Sequence, residues 1–327
     1  MKIFMACPAR PRSRKGNRVT AVRWARFLKE LGHHVSIGES YDGTRCDVLV
    51  ALHARRSYQA AARYRRLFPD GPLVVALTGT DLYRDIRRSK SARRSLELAD
   101  RLILLQPRGI DELPLHVRPK ARVIYQSAKP TAVHAGENHR LFEVCVLGHL
   151  RYEKDPFRAA LALQQVPAST TIRVTHAGQA LSPAMAARAG ALMARDSRYR
   201  WIGEVPRWRA RQLLARSRLL VLSSRMEGGA NVISEALADG VPVLASRIPG
   251  SVGLLGEGYP GFFPVGDTTA LAQLLKRAES EPAFYSRLTA HCRRLAPLVQ
   301  PARERASWGK LLTELEGRKT AQERQKK

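Results

Sequence analysis

Hydrophobic positions along the chain follow two alternating spacings. Short aliphatic runs typical of buried strands alternate with segments whose apolar residues recur every three or four positions, as in amphipathic helices. The strands predicted in the first part of the chain cover 2–6, 34–38, 46–52, 72–79, 101–106 and 122–127. The helices predicted between them cover 20–31, 55–68 and 89–99. Repeated strand–helix–strand units predict a parallel sheet with helices on both faces.

A second series of the same kind follows residues 129–140, which combine Pro, Gly, Asn and charge without apolar periodicity and are predicted to be a linker. The strands predicted after it cover 142–148, 171–178, 198–203, 218–224 and 241–246. The helices cover 183–194, 207–216, 230–239, 269–278 and a terminal 301–316, before a tail at 317–327 that is expected to be disordered. The pattern predicts an α/β protein with two doubly wound domains, 1–128 and 141–300, and an active site between them.

The charge balance adds a preference for anionic partners. The chain has 327 residues, of which 44% are hydrophobic, and 56 Lys and Arg against 28 Asp and Glu give a net charge of +28. Phosphates, nucleotides, nucleic acids and membrane surfaces all fit this sign. Aromatic content is 6% and no zinc-finger, RNA-recognition or basic-zipper motif is present, so no specific nucleic-acid partner is predicted. Arginine clusters within 55–66 and 87–94 leave a membrane-surface contact open, although solvated helix surfaces explain them as well.

Several chemistries are not indicated. Cys7, Cys46, Cys145 and Cys292 form no C-x-x-C pair, so neither a disulfide framework nor a zinc site is predicted. No secretory or membrane-spanning apolar run is present, which favours a cytoplasmic protein without integral membrane association. The loop after the first strand lacks G-x-G-x-x-G, which argues against a nicotinamide cofactor, and no D-x-D metal motif occurs. We therefore expect no cofactor and no metal.

The segment 218–250 carries the most specific chemistry. Gly228 and Gly229 allow close approach of a ligand to the backbone, and the helix that follows offers its positive N-terminus to a diphosphate. Glu235 falls off the apolar stripe of that helix, predicted as Val232, Ile233, Ala236 and Leu237. Carboxylates at Glu227 and Glu235 suit sugar and ribose hydroxyls. The combination indicates a nucleotide-sugar site.

The sequence E-G-G-A-N-V-I-S-E-A-L-A-D-G-V-P-V-L-A-S (227–246) resembles the E-x7-E motif of retaining GT-B glycosyltransferases of the family 4 type. The resemblance extends to G-H-L-R-Y-E-K-D (148–155), W-I-G-E-V-P (201–206) and P-V-G-D (264–267). It implies two Rossmann-like domains facing a cleft, a UDP-sugar donor, no metal requirement, and a terminal helix that packs back on the N-terminal domain.

The resemblance also implies roles for individual residues. Glu227 would bind donor-sugar hydroxyls, Lys154 the diphosphate and Glu235 the ribose. His149 stands where the family has a phosphate-binding arginine, which makes Arg151 the candidate substitute. The remaining donor-binding candidates are the base loop and the backbone amides after Glu227, namely Gly203, Glu204, Val205, Gly228, Gly229, Ala230, Asn231 and Val232.

The acceptor is expected on the N-terminal domain. A basic cluster at a helix N-terminus suits a compact oxyanion, although a solvated loop or a loop closing over the donor phosphates would have the same composition. Its members are Arg14, Lys15, Gly16, Asn17 and Arg18. His53 ends a predicted strand, and Thr78 and Thr80 lie in T-G-T-D, where relatives often have His-Gly.

The segments C-P-A-R-P-R-S-R-K-G-N-R-V-T-A-V-R-W-A (7–25), L-H-A-R-R-S (52–57) and L-T-G-T-D-L-Y-R-D (77–85) resemble a narrower subfamily, the selenosugar synthases of selenoneine biosynthesis. That resemblance implies UDP-N-acetylglucosamine as donor and selenophosphate as acceptor. A readily ionised selenium nucleophile needs little base catalysis, which fits the absence of His-Gly at 78–79. A lipid or polysaccharide acceptor is the alternative.

Overall fold

The computed structural model describes residues 1–11, 16–132 and 141–325, with the side chains of the last helix described to residue 317. The chain divides into two compact units, one of Met1–Ser127 with Pro301–Lys327 and one of Ala128–Gln300. The predicted site residues Arg14 and Lys15, and most of the predicted linker, lie outside the described residues.

Unit 1 is built on a parallel sheet of six strands. The strands are β1 (Lys2–Ala6), β2 (His34–Gly38), β3 (Val48–Leu52), β4 (Leu73–Leu77), β5 (Arg101–Leu104) and β6 (Ala121–Val123), in the order β2-β1-β3-β4-β5-β6. The helices that connect them are α1 (Gly16–Glu30), α2 (Tyr58–Leu67), α3 (Ile86–Arg88) and α4 (Lys90–Leu98). A π-helical turn at Asp81–Asp85 precedes α3.

Unit 2 is built on a second parallel sheet of six strands. These are β7 (Phe142–Leu147), β8 (Ile172–Ala177), β9 (Tyr199–Trp201), β10 (Leu219–Leu222), β11 (Val243–Ser246) and β12 (Phe262–Phe263), in the order β12-β11-β10-β7-β8-β9. The helices are α5 (Arg158–Leu163), α6 (Pro183–Arg195), α7 (Arg207–Arg216), α8 (Asn231–Asp239), α9 (Pro249–Leu255), α10 (Thr268–Ser280) and α11 (Pro282–Leu295). The strand order reverses between β7 and β10, which is where doubly wound sheets bind ligands.

The α/β fold class predicted from the sequence is confirmed in both sheets. Every residue of β3 and β4 is buried, as expected for parallel strands covered on both faces. On one face of the unit 1 sheet, Trp24 of α1 meets Trp308 edge to face, with ring centroids 4.9 Å apart. On the other face, Tyr64 of α2 and Leu96 of α4 belong to the core.

The last helix, α12 (Pro301–Gln325), belongs to unit 1. Its buried Glu304 accepts hydrogen bonds from the Trp24 indole N–H (2.6 Å) and the Ser127 amide (2.7 Å) and pairs with Arg23 at 3.0 Å. The helix continues past the predicted end at 316, so the expectation of a disordered tail from 317 is wrong as far as Gln325. Residues 317–325 contain mostly good helix formers, which extend an existing helix without a new nucleation cost.

Four elements of unit 2 are absent from the sequence prediction. Helix α5 is only six residues long, α9 begins with Pro-Gly-Ser, and β12 has two residues. Only Glu281 separates α10 from α11, and Pro282 at the first position of α11 was a usable signal for the boundary. The three short elements depend on packing rather than on local periodicity. Over the described residues, no helix combines the length and apolar character that a membrane crossing requires.

Candidate active site

The carboxyl ends of the unit 2 strands carry most of the predicted donor-binding residues. Because the strands are parallel, the loops after β7, β9 and β10 leave the same edge of the sheet. These loops hold residues 148–155, 202–206 and 223–230. A small cavity at this edge is lined by Gly148, Lys154, His176 and Ser224, among others, and lies at the point where the strand order reverses.

Lys154 and Glu227 meet at this edge, although 73 positions separate them in the sequence. The Lys154 ammonium contacts Glu227 Oε1, and the Ser224 hydroxyl donates to the same oxygen at 2.6 Å. The Lys154 side chain is 19% exposed and that of Glu227 12% exposed. One cation and one carboxylate are therefore held together, partly shielded from water, where a phosphate and a sugar hydroxyl each find a complementary group.

Backbone contacts fix the two loops that carry this pair. The Ser223 hydroxyl donates to the Asp155 carbonyl at 2.8 Å, and the Arg225 amide donates to the Glu153 carbonyl at 2.8 Å. Ser223 and Ser224 are both buried. Sequence analysis missed the two serines as site residues, although their position directly after a buried strand was a usable signal.

Glu227 also depends on a close approach by helix α9. A methyl group at Gly250 would overlap the carbonyl oxygen of Glu227, so only glycine fits there without a backbone shift. Gly228, Gly229 and Ala230 follow Glu227 and lead into α8.

Helix α8 begins at Asn231, and its N-cap residue, Ala230, makes no side-chain capping hydrogen bond. Gly240 ends the helix at φ +71°, as the sequence indicates. The buried stripe of α8 consists of Ile233, Ser234, Ala236 and Leu237. The expectation that Val232 belongs to this stripe is wrong, because it lies on the first turn and is only half-buried.

Glu235 belongs to a different charged group. Its carboxylate lies 2.9 Å from Arg207 and 3.9 Å from Arg211, and Arg211 also pairs with Asp239 at 2.7 Å. The carboxylate thus lies off the apolar face of α8, as the helical spacing predicts. A ribose bound here would share it with two arginines, and its role as a ribose ligand stays a prediction.

The remaining donor-side candidates lie in two neighbouring loops. The His149 ring accepts a hydrogen bond at Nδ1 from the Gln179 amide (3.1 Å). Arg151 keeps a buried Nε–H without a hydrogen-bond partner in the described part of the chain. In the loop after β9, Gly203 adopts φ +71° and accepts from the Gly178 amide at 2.8 Å, while Glu204 is exposed and Val205 half-buried. The donor-binding roles predicted for these five residues stay predictions.

In unit 1, the structure brings together His53 and Thr80. His53 directly follows β3 and lies in the left-handed region, at φ +74°, and its Nε2 lies 3.3 Å from the Thr80 hydroxyl. The Arg56 amide donates to its Nδ1 at 3.4 Å. Burial lowers the pKa of His53, so the neutral ring presents its N–H at Nε2. In this tautomer His53 donates to Thr80 and is not a base toward it.

Asp81 organises the loop that holds both residues, and sequence analysis missed it. Its buried carboxylate accepts from the amides of Ala54 (2.9 Å), Thr78 (3.0 Å) and Gly79 (2.8 Å). Its position at the end of T-G-T-D, ready to accept from preceding amides, was the available signal.

The other acceptor-side candidates are only partly described. Gly16, Asn17 and Arg18 form the first turn of α1, which begins four residues before its predicted start at 20. Within the described residues, no group of three His, Cys, Asp or Glu side chains is arranged to hold a metal ion.

Comparison with known proteins agrees with this architecture. Residues 133–294 match the sequence model of the family described as Glycosyl transferases group 1. The structure resembles Anabaena HepE in complex with UDP at 15% identity, a TM-score of 0.77 and coverage of 96% of this chain and 99% of that chain. It resembles the sucrose-phosphate synthase of Thermosynechococcus elongatus at 16% identity, a TM-score of 0.77 and coverage of 97% and 99%. The chain therefore has the GT-B fold and carries a glycosyltransferase group 1 domain.

Proposed function

We propose that this GT-B glycosyltransferase, with its group 1 domain at residues 133–294, takes the sugar from UDP-N-acetylglucosamine and transfers it to selenophosphate. The observation that carries the donor half of the proposal is the contact between Lys154 and Glu227 where the sheet order reverses. The bound UDP of the HepE structure and the UDP-glucose of a second HepE structure support a UDP-sugar. The acceptor half rests on the resemblance of 7–25, 52–57 and 77–85 to selenosugar synthases.

In the proposed reaction, the donor diphosphate competes with Glu227 for the Lys154 ammonium. Once that ion pair opens, the Glu227 carboxylate accepts hydrogen bonds from donor-sugar hydroxyls, while Ser224 continues to hold one of its oxygens. Lys154, Arg151 and the N-terminus of α8 then offset the negative charge that grows on the leaving UDP.

The bond changes balance without an added oxidant or reductant. A selenium lone pair of selenophosphate forms the new bond to the anomeric carbon, and the electron pair of the carbon–oxygen bond leaves with UDP. Water then cleaves the selenium–phosphorus bond, which releases phosphate and leaves the selenium on the sugar. Since selenophosphate is already an anion, the nucleophile does not require a histidine base.

The His53–Thr80 contact suits this acceptor. His53 donates to the Thr80 oxygen, which leaves the Thr80 hydroxyl proton available to an anionic acceptor. In this proposal Thr80 and the basic residues Arg14, Lys15 and Arg18 bind the phosphate group of selenophosphate.

A second candidate is transfer to an anionic lipid. Basic residues of α2, α3, α4 and the adjacent turns have exposed side chains, and among the described residues no ion-pair partner faces Arg56, Arg66, Arg88, Lys90 or Arg94. Such a surface attracts anionic headgroups. Co-sedimentation with phosphatidylserine vesicles, compared with phosphatidylcholine vesicles, tests this alternative directly.

The deciding experiment is anaerobic incubation with UDP-N-acetylglucosamine, with and without selenophosphate, followed by assay of UDP and mass spectrometry of the sugar product. We expect selenophosphate-dependent UDP release and a product carrying selenium. Substitution of Glu227 by Ala should lower turnover by about a hundredfold or more, because the donor sugar loses its carboxylate. Glu257→Ala, an exposed surface change in the same unit, should retain full turnover.

The outcomes separate donor from acceptor. UDP binding without a selenium product would overturn the acceptor and turn attention to lipids and polysaccharides. No binding of UDP or of any UDP-sugar would overturn the donor assignment. Unchanged turnover in Glu227→Ala would remove the role proposed for that carboxylate.

A further inference from the structure

A buried histidine connects strand β8 to the loop that carries Lys154. His176 lies near the end of β8 and is completely inaccessible to solvent. Its Nε2 lies 2.9 Å from the Gly148 carbonyl oxygen, and its Nδ1 lies 3.0 Å from the hydroxyl of Tyr199 on β9. The proposed reaction does not use this residue.

The direction of both hydrogen bonds follows from the partners. A carbonyl oxygen only accepts, so His176 carries its proton on Nε2 and donates to Gly148. Burial lowers the pKa of His176 to about 4, so the ring is neutral near pH 7 and Nδ1 accepts from Tyr199. Burial also raises the pKa of Tyr199, which keeps its hydroxyl protonated. Tyr199, His176 and Gly148 are therefore joined by two hydrogen bonds in series, from the Tyr199 hydroxyl to His176 and from His176 to the Gly148 carbonyl. This pair of hydrogen bonds is called the relay below.

The relay ends on a tightly constrained turn. The Gly148 amide donates to the Ala177 carbonyl at 3.0 Å, and the Leu150 amide donates to the Gln179 carbonyl at 2.8 Å. A methyl group at Gly178 would overlap the Gly148 carbonyl, so the two loops are in direct contact. His176 donates its hydrogen bond to the Gly148 carbonyl at this contact.

We propose that His176 is a positioning residue for the donor diphosphate: through the Gly148 carbonyl it sets the course of the 148–155 loop and hence the place of Lys154. Gly148, Lys154 and His176 line the same cavity, so the histidine, the carbonyl that it binds and the lysine lie close together. This inference rests on the proposed function only for the identity of the diphosphate, since the relay itself is a property of the free protein.

The experiment compares three variants with the wild-type protein. His176→Leu keeps an apolar side chain but cannot donate to Gly148, whereas His176→Gln places an amide N–H near the position of Nε2. Tyr199→Phe removes only the hydroxyl at the far end of the relay. Hydrogen exchange of the 148–155 amides is measured without ligand, with the α10 amides as reference, and UDP affinity is measured by calorimetry.

We expect His176→Leu to raise exchange in 148–155 about tenfold or more, without a matching rise in α10, and to weaken UDP binding by about 10- to 100-fold. His176→Gln should restore loop exchange and UDP affinity to within about threefold of the wild-type values. The effects of Tyr199→Phe should be intermediate between those of His176→Leu and His176→Gln. The inference would be overturned if the 148–155 amides of His176→Leu exchanged at the wild-type rate, or if exchange in α10 rose equally. It would also be overturned if His176→Gln folded but recovered neither the slow exchange nor the UDP affinity. Absence of UDP binding by the wild-type protein would instead overturn the proposed donor, and loop exchange would still decide the positioning role.

Discussion

Both units are built on a six-stranded parallel sheet, but the carboxylates in the loops after their strands have different partners. In unit 2 the Glu227 carboxylate is held by one hydroxyl and one ammonium, both on side chains. In unit 1 the Asp81 carboxylate accepts from three backbone amides and is fully buried. A ligand can replace a lysine at Glu227, whereas removing the amides from Asp81 would require the loop to unfold.

This difference indicates which acids are available to a ligand. Equivalent sheet edges offer equivalent positions, but an acid that satisfies backbone N–H groups builds the loop and is no longer free to act on a ligand. The same contrast separates the buried histidines, since His176 supports a backbone carbonyl while His53 donates to the hydroxyl of Thr80.

The units also differ in continuity. Unit 2 is one continuous segment, whereas unit 1 is completed by α12 from the other end of the chain. The attachment centres on Glu304, whose partners Arg23 and Trp24 are 281 and 280 positions away. Unit 1 is therefore expected to be more sensitive to a single substitution at that carboxylate.

The largest effect is expected for Glu304→Ala. It leaves the buried Arg23 without this carboxylate and should lower the free energy of unfolding of unit 1 by about 3–5 kcal/mol. Hydrogen exchange of α1 should rise strongly while that of α10 stays unchanged. Glu304→Gln, which still accepts from Trp24, should lose less. Equal loosening of both units would show that the chain unfolds as one cooperative block and would break the comparison.

Gly250→Ala tests the close approach in unit 2. The added methyl group displaces the Glu227 backbone, so turnover should fall by about a hundredfold. Gly258→Ala is the matched control, because its added methyl group meets nothing within 4 Å. Steady-state kinetics and hydrogen exchange of the 223–230 loop measure the effect. Near-normal turnover of Gly250→Ala would mean that the Glu227 position tolerates a shift.

Ser224→Ala is the mildest change. It removes one hydrogen bond to the Glu227 carboxylate and should reduce donor kcat/KM by about tenfold, with little change in the acceptor KM. The exposed Ser280→Ala serves as control. If Ser224→Ala changed the acceptor KM alone, the serine would not act through the donor carboxylate.

Much of the fold could be predicted from local sequence patterns. The strands 2–6 and 34–38 match the structure at both ends. A short apolar run identifies the first strand, whereas Val35 and Ile37 alternate with polar residues in the second, which lies at the edge of the sheet. Helices α5 and α9 could not be predicted in this way, since each is short and stabilised mainly by packing.

For the site, the sequence determined which chemical groups occur in each loop and in what order along the chain: the glycines and carboxylates of 227–235, and the arginine and lysine of 148–155. Only the tertiary structure decided which of these groups meet. Lys154 contacts Glu227, His176 holds Gly148, and Glu304 anchors α12, all across long separations in sequence. Periodicity reports the conformation of neighbouring residues, whereas such pairs depend on strand order, register and helix rotation, which the packing of the whole unit sets.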